Sequence, residues 1–181
     1  MDTAPERLPV ELVPHRPEWA AMARDEAKRL REAIGENILI EIHHIGSTAI
    51  PGIHAKPTVD LMPLVTNLSE LDARKADVCA LGYEWRGEFG ISGRRFLTRM
   101  SDDRRQRLFN VHCFEASMPD VDRHLAFRDY MLTHPGRAKA YEAEKFRARD
   151  MQPDDTLAYS QEKGPWIKAA EQEALAWYRM R

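Results

Sequence analysis

Cysteine is scarce in this chain: Cys79 and Cys113 are its only two, far apart and in no CxxC spacing. A disulfide framework or a cysteine-rich zinc site finds no support, and a reducing compartment fits better. Long apolar runs are missing too, and nothing approaches the ~20 residues a membrane-spanning helix needs. The opening residues, MDTAPERLPVEL, hold an early acid and no basic-then-apolar leader pattern. A soluble, cytoplasmic protein with no membrane partner is the expectation. Neither charge is in excess, with 27 lysines and arginines against 29 acids. Bulk charge therefore gives no reason to expect nucleic acid as a partner.

What is present is 181 residues, enough for a single domain that buries roughly 70% of its unfolded surface. The expected division is a sheet-containing core over about 1–116 and a helical tail over about 117–181 packed on it. Residues 10–14 alternate briefly and predict a short edge strand. Trp19, Met22, Ala23, Ala27, Leu30 and Ile34 recur at helical spacing between Pro17 and Gly35, the start and stop of an amphipathic helix. ILIEIHHI (38–45) reads as a buried strand and GSTAIPGIHAKP (46–57) as an irregular loop. TVDLMPLV (58–65) is a second strand, in which Pro63 marks an end, a bulge or an edge.

A helix is predicted over 68–81, with Ser69 as N-cap and Gly82 as stop. Two strands flank GEFGISG, the second being RRFLTRM (94–100), and 107–115 forms another. Ser117 with Asp120 reads as a capping box opening a helix to His134. Pro135 separates it from a helix over 137–151, and a last helical stretch over 157–181 should kink or divide at Gly164 and Pro165. The order predicts an α+β fold: a small mixed β-sheet flanked by helices, with a C-terminal helical extension.

Gly46 and Ser47 follow a buried strand directly, so they can offer backbone N–H groups and a hydroxyl to a phosphate. Thr48 adds a second hydroxyl. Asp60, among apolar neighbours on the next strand, could lie beside that turn and carry a metal ion. His112 could face Asp60 across adjacent strands as a general base. Glu115, three residues further, points to the opposite face. His44 before the turn and Lys56 before the strand are phosphate candidates, and Arg128 could fork onto a phosphate. Each has a plainer use: His44 holding its own turn, Lys56 exposed to solvent, Asp60 accepting backbone N–H groups, Arg128 pairing with Asp129. Six arginines between Arg94 and Arg107 make either an anion surface or a solvated hairpin tip.

HIGSTAIPGIHAKPTVDLM (44–62), RRF (94–96), NVHCFE (110–115) and LAFRDYMLTHP (125–135) together resemble the GrpB family, as do Tyr141, Lys145, Tyr159 and Lys163. That family belongs to the wider nucleotidyltransferase superfamily of the DNA polymerase beta type. The resemblance implies a sheet with the Gly-Ser turn at one end and carboxylates on neighbouring strands. These would hold Mg²⁺, or alternatively Mn²⁺, to orient a nucleoside triphosphate. It also brings Arg95, Lys145 and Lys163 forward as groups that neutralise phosphate charge. Two carboxylates at i and i+2 share a strand face and can bridge metals about 3.5–4 Å apart. Here the second place holds Met62, whose thioether does not suit a hard cation. The family often has His-x-His where this chain has Asn110 before His112.

Two functions stay open on these residues. One is transfer of a nucleotidyl group to a hydroxyl of a small molecule or protein, with Asp60 as metal ligand and His112 as base. The other is non-catalytic binding of a nucleotide or phosphorylated metabolite at a degenerate metal site. Fusions of related domains to dephospho-coenzyme A kinase make coenzyme A precursors part of that second reading.

Overall fold

The computed structural model describes residues 8–181. Helix α1 (Glu18–Ile34) stops where Gly35 takes φ 95°. It buries Trp19, Ala23, Leu30 and Ile34, together with one acid, Glu26. Five strands follow in one sheet: β1 (Leu39–Ile45), β2 (Val59–Val65), β3 (Glu84–Trp85), β4 (Arg94–Met100) and β5 (Arg107–Glu115). Their spatial order is β1-β2-β5-β4-β3. β2 and β5 run parallel, and every other neighbouring pair is antiparallel. A parallel join needs a long crossover, and here it contains α2 (Leu68–Ala73) and α3 (Lys75–Cys79). Three helices complete the chain: α4 (Pro119–Thr133), α5 (Pro135–Met151) and α6 (Thr156–Tyr178). The fold is α+β, with helices on both faces of a mixed sheet. Among the described residues no helix is long and apolar enough to cross a membrane.

Alternation along the strands divides the core. Val59, Leu61 and Val65 of β2 join Leu97, Phe109, Val111 and Cys113 in a cluster closed by α1. Met62, Leu64 and Phe114 point the other way and pack with Val121 of α4. A third cluster ties Ile50 and Ile53, in the loop after β1, to Phe127, Tyr141 and Ala170 of the last three helices. Each such fully buried side chain contributes about 1.5–3 kcal/mol. Asp60 shares the strand face of Met62, so the carboxylate looks toward the C-terminal helices.

Several local expectations need correction. Residues 10–14 make no strand; a single bridge joins Val13 to Ala55, because Pro14 has no N–H with which to extend a ladder. Pro63 is not at an edge. β1 pairs with it through Ile42, but the ladder to β5 skips from Leu61 to Leu64, so the missing donor falls in a gap. The helix predicted over 68–81 is two helices, interrupted at Arg74 with φ −94° and ψ 6°. Its cap is Asn67 rather than Ser69, since the Asn67 side chain accepts from both Ser69 N and Glu70 N. The Ser117 capping box is absent: Met118 is the cap residue, Pro119 fixes the first turn, and Asp120 pairs with Arg123 at 2.7 Å. α5 starts two residues earlier than predicted, with Pro135 in its first turn. Pro165 lies inside α6 without dividing it.

Candidate functional site

The site begins at Gly46, immediately after β1. Its φ of 74° and ψ of −172° fall in a region that costs other residues about 1–3 kcal/mol. A methyl group there would also stand 2.7 Å from Asp60 Oδ2. Glycine is required twice, for the bend and for contact with the carboxylate. Gly46→Ala should therefore lower stability by about 1–3 kcal/mol or more, read as a reduced urea midpoint at unchanged slope. An unchanged midpoint would show that the turn does not rest on Asp60.

Register places the next groups. Asp60 lies opposite Ile45 on β1 and opposite Asn110 on β5. Asp60 Oδ1 accepts from Asn110 Nδ2 at 3.0 Å and from His112 Nε2 at 3.2 Å. Burial pushes this carboxyl up, but the His112 and Asn110 bonds and the nearby Lys56 charge outweigh it. Asp60 is thus held below the usual carboxylate range. Arg94 is 6% exposed and donates to the carbonyls of Glu88 and Phe89. Its Nη1 is 3.4 Å from His112 Nδ1. His112 thus lies between Arg94 on one ring nitrogen and Asp60 on the other. Neither ring nitrogen is left for a ligand. His112 faces Asp60 across the adjacent strands, as expected from the sequence, with Arg94 against its other nitrogen.

Three lysines from three separate elements meet beside this acid. Lys56 in the loop before β2 and Lys163 on α6 lie over the same Tyr159 ring, their Nζ atoms 5.3 and 4.2 Å from its centre. Lys145 on α5 is 1% exposed, sits 4.6 Å from the Tyr141 ring centre and donates to the His54 carbonyl. Burial lowers Lys145 to about 7, with Glu142 opposing and Lys56 adding to the shift. Burial, then repulsion from Lys56 and Lys145, also lowers Lys163 to about 7. Lys56 falls to about 8 through burial, with Asp60 opposing and Arg107 adding to the shift. The Tyr141 hydroxyl reaches Ser47, which closes the ring from the turn to the helices. Lys56 further lines an open pocket of about 250 Å³ with Thr58, Arg105, Gln106, Arg107 and Thr156.

The expected set thus splits. Gly46, Ser47, Lys56, Asp60, His112, Lys145 and Lys163 come together. His44 and Thr48 turn to each other beside them: His44 Nε2 lies 2.9 Å from Thr48 Oγ1, Thr48 is 1% exposed, and burial lowers His44 to about 4 with the Asp60 charge opposing. They support the turn from within. Arg95 points to the opposite face and forks onto Asp72 at 2.7 and 2.8 Å. Arg128 donates to the His44 carbonyl and to Asp129, docking α4 on β1. Glu115 accepts from Leu68 N at the start of α2. Arg94, Asn110 and Tyr141 were missed as site residues. Strand parity would have chosen Arg94 over Arg95 had the register been known.

A divalent metal, which the resemblance implies, meets a poor donor set. Asp60 is one carboxylate, its Oδ1 already accepts two hydrogen bonds, and an ammonium lies close by. Met62 is 0% exposed inside an apolar cluster. Asn110 Oδ1 is buried without a partner, but it brings no charge. Among the described residues no three His, Cys, Asp or Glu side chains converge. These residues fit neither Mg²⁺ nor Mn²⁺ well.

Comparison with known proteins agrees with this architecture. The family model described as "GrpB protein" matches residues 9–173. UPF0157 protein YqkA of Bacillus subtilis is 38% identical over 172 residues, covering 95% of this chain and 49% of YqkA. The dephospho-CoA kinase of Mycolicibacterium paratuberculosis is 29% identical over 94% of this chain and 47% of its own length. The chain thus spans about half the length of these two relatives. The crystal structure of conserved protein GrpB from Enterococcus faecalis superposes with a TM-score of 0.85 at 33% identity, covering 93% of this chain and 99% of that one.

Proposed function

The chain belongs to the GrpB family, and from that premise we propose that it binds a nucleotide or another phosphorylated small molecule. The phosphate would lie between the Gly46/Ser47 turn and Lys56, Lys145 and Lys163. The observation that carries this reading is the meeting of three ammonium groups from three elements beside one glycine turn. Among the described residues these ammonium groups are held by ring faces and a carbonyl rather than by a carboxylate. Cation–π contacts return about 0.5–2 kcal/mol each, less than the several kcal/mol that burying an ion costs. Such an arrangement is unfavourable to the fold and makes sense as an anion receptor.

The proposal extends to the nucleotidyltransferase superfamily, supported by a glycine turn packed on an acid of the neighbouring strand. Within it, binding without turnover is favoured over transfer, because Met62 is sealed away and His112 has both nitrogens engaged. The similarity to dephospho-CoA kinases puts dephospho-coenzyme A beside nucleoside triphosphates among the ligands to try first. A cytoplasmic setting suits such ligands. The test is a thermal-shift series with these compounds. At 100 times Kd a ligand adds about 2.7 kcal/mol, which raises Tm by roughly 5–10 °C for a chain of this size.

A further inference from the structure

We infer that the open pocket beside Lys56 is a second binding site, separate from the Gly46 turn, and that it takes a phosphate monoester of a small polyol. The cavity of about 250 Å³ lies where four segments of the chain meet. Leu8 comes from the N-terminal segment, Pro57 from the loop before β2, Gln106 from the β4–β5 hairpin and Thr156 from the start of α6. These walls are tied to one another. Thr156 N donates to the Leu8 carbonyl at 3.1 Å, Gln106 Nε2 to the Pro57 carbonyl at 3.0 Å, and Thr58 Oγ1 to the Arg107 carbonyl at 2.8 Å. A cavity cross-linked in this way is formed before a ligand arrives, as small-molecule sites usually are. It shares only Lys56 with the lysine cluster and does not rest on the phosphate reading of that cluster.

Charge sets the ligand class. Among the described lining residues Lys56, Arg105 and Arg107 face one acid, Glu11, so three positive charges against one negative leave two. Arg107 is close enough for its charge to act on Lys56. Arg105 is 87% exposed along its side chain and stands 4.0 Å from Asp103, so its guanidinium is loosely held and can turn to a ligand. A phosphate monoester carries about −1.5 to −2 near neutral pH and balances that excess, and guanidinium groups fork onto its oxygens. Acceptors stand beside these donors. Thr58 Oγ1 has given its only proton to the Arg107 carbonyl, so toward a ligand it can only accept. The Gln106 side-chain oxygen and the Glu11 carboxylate accept as well, and together they suit hydroxyl groups. The volume lies below the ~300–1,000 Å³ typical of sites for drug-sized ligands. It suits a molecule the size of glycerol phosphate better than a whole nucleotide.

Calorimetric titration with glycerol 3-phosphate tests this, in the parent and in Arg107→Gln, Arg105→Gln and Lys163→Gln. Binding should persist in Lys163→Gln and weaken about tenfold in Arg107→Gln, the loss of one charged hydrogen bond. Arg105→Gln changes an exposed side chain that the fold does not need. It should weaken binding by a smaller, measurable factor, which keeps the test decisive if Arg107→Gln misfolds. Tartrate, a hydroxylated dicarboxylate, should bind more weakly than the phosphate ester, and tighter binding would overturn the phosphate assignment. Binding lost in Lys163→Gln and unchanged in both arginine variants would overturn the second site while keeping phosphate at the lysine cluster. No binding of glycerol 3-phosphate would overturn the inference and leave the lysine cluster to its nucleotide test.

Discussion

Between pH 7 and pH 9 the ligand-free protein is expected to gain stability, against the usual behaviour of a chain with buried thiols and phenols. The cause lies in Lys145, Lys163 and Lys56, lowered by burial and mutual repulsion from 10.5 to about 7, 7 and 8. The groups facing Lys145 are Glu142 on its own helix, Lys56 from the loop before β2 and Lys163 from α6. A depressed folded pKa means that the unfolded chain keeps its proton where the native state has lost it. Stability therefore rises with pH from about 7 to 10.5 for Lys145 and Lys163, and from about 8 for Lys56. Below that window the cost of three crowded ammonium groups is felt in full.

Each lysine contributes at most about 1.4 kcal/mol per pH unit. An opposing slope begins higher. Cys113 is pushed from 9.0 to about 12 by burial, and Tyr83 and Tyr159 are raised above 10.0 by burial, Tyr83 also by Glu26 and Tyr159 by Tyr141. For these groups the unfolded chain ionises first, so stability falls above about pH 9 to 10. Urea melts at pH 7, 8 and 9 should show a rise of about 2 kcal/mol or more. Lys145→Met should be more stable than the parent at pH 7 and should flatten the rise. A monotonic fall from pH 7 to 9 would contradict the crowded-lysine description.

Removing Glu26 is expected to cost about 3–5 kcal/mol. Glu26 is 3% exposed on the buried face of α1. Its Oε1 accepts from the Tyr83 hydroxyl at 2.8 Å, and its Oε2 meets Arg29 at 2.9 Å and Arg99 at 3.0 Å. Arg99 is in turn held over the rings of Tyr83 and Phe109, 5.6 and 4.6 Å from their centres. Glu26→Ala leaves the buried Tyr83 hydroxyl without its acceptor and removes the carboxylate from Arg99, whose side chain is only 16% exposed. Glu26→Gln should lose less, since an amide oxygen still accepts from Tyr83. Urea unfolding of both variants checks this, and a loss below about 1 kcal/mol for Glu26→Ala would show that water reaches the network.

Glu26 also shows what the sequence leaves hidden. It falls on the helix face defined by Trp19, Ala23, Leu30 and Ile34, so its position was legible, yet two of its three partners, Tyr83 and Arg99, lie more than fifty residues away. The turn at Gly46 and the pairing of Asp60 with His112 could be read because both follow from strand alternation and a short loop. The role of Arg94 could not. Two adjacent arginines point to opposite faces, and only the register with β5 decides that Arg94 lies on the side of His112. Ser47 and Thr48 pose the same problem within a single turn, which directs Thr48 inward to His44. The gathering of Lys145 and Lys163 was implied by family resemblance alone, since helix packing in the tail sets it and no spacing encodes it. His112 was placed correctly, but its second partner, Arg94, changes what it can do.

The central claim is that the lysine cluster receives phosphate, and the most direct measurement is the ligand-induced shift in Tm at pH 7 for the parent and Lys163→Gln. With a saturating nucleoside triphosphate or dephospho-coenzyme A, the parent should rise by roughly 5–10 °C. Lys163→Gln, starting from an equal or higher Tm, should rise far less. Equal shifts in the two proteins, or no shift in the parent with any phosphorylated ligand, would contradict the account.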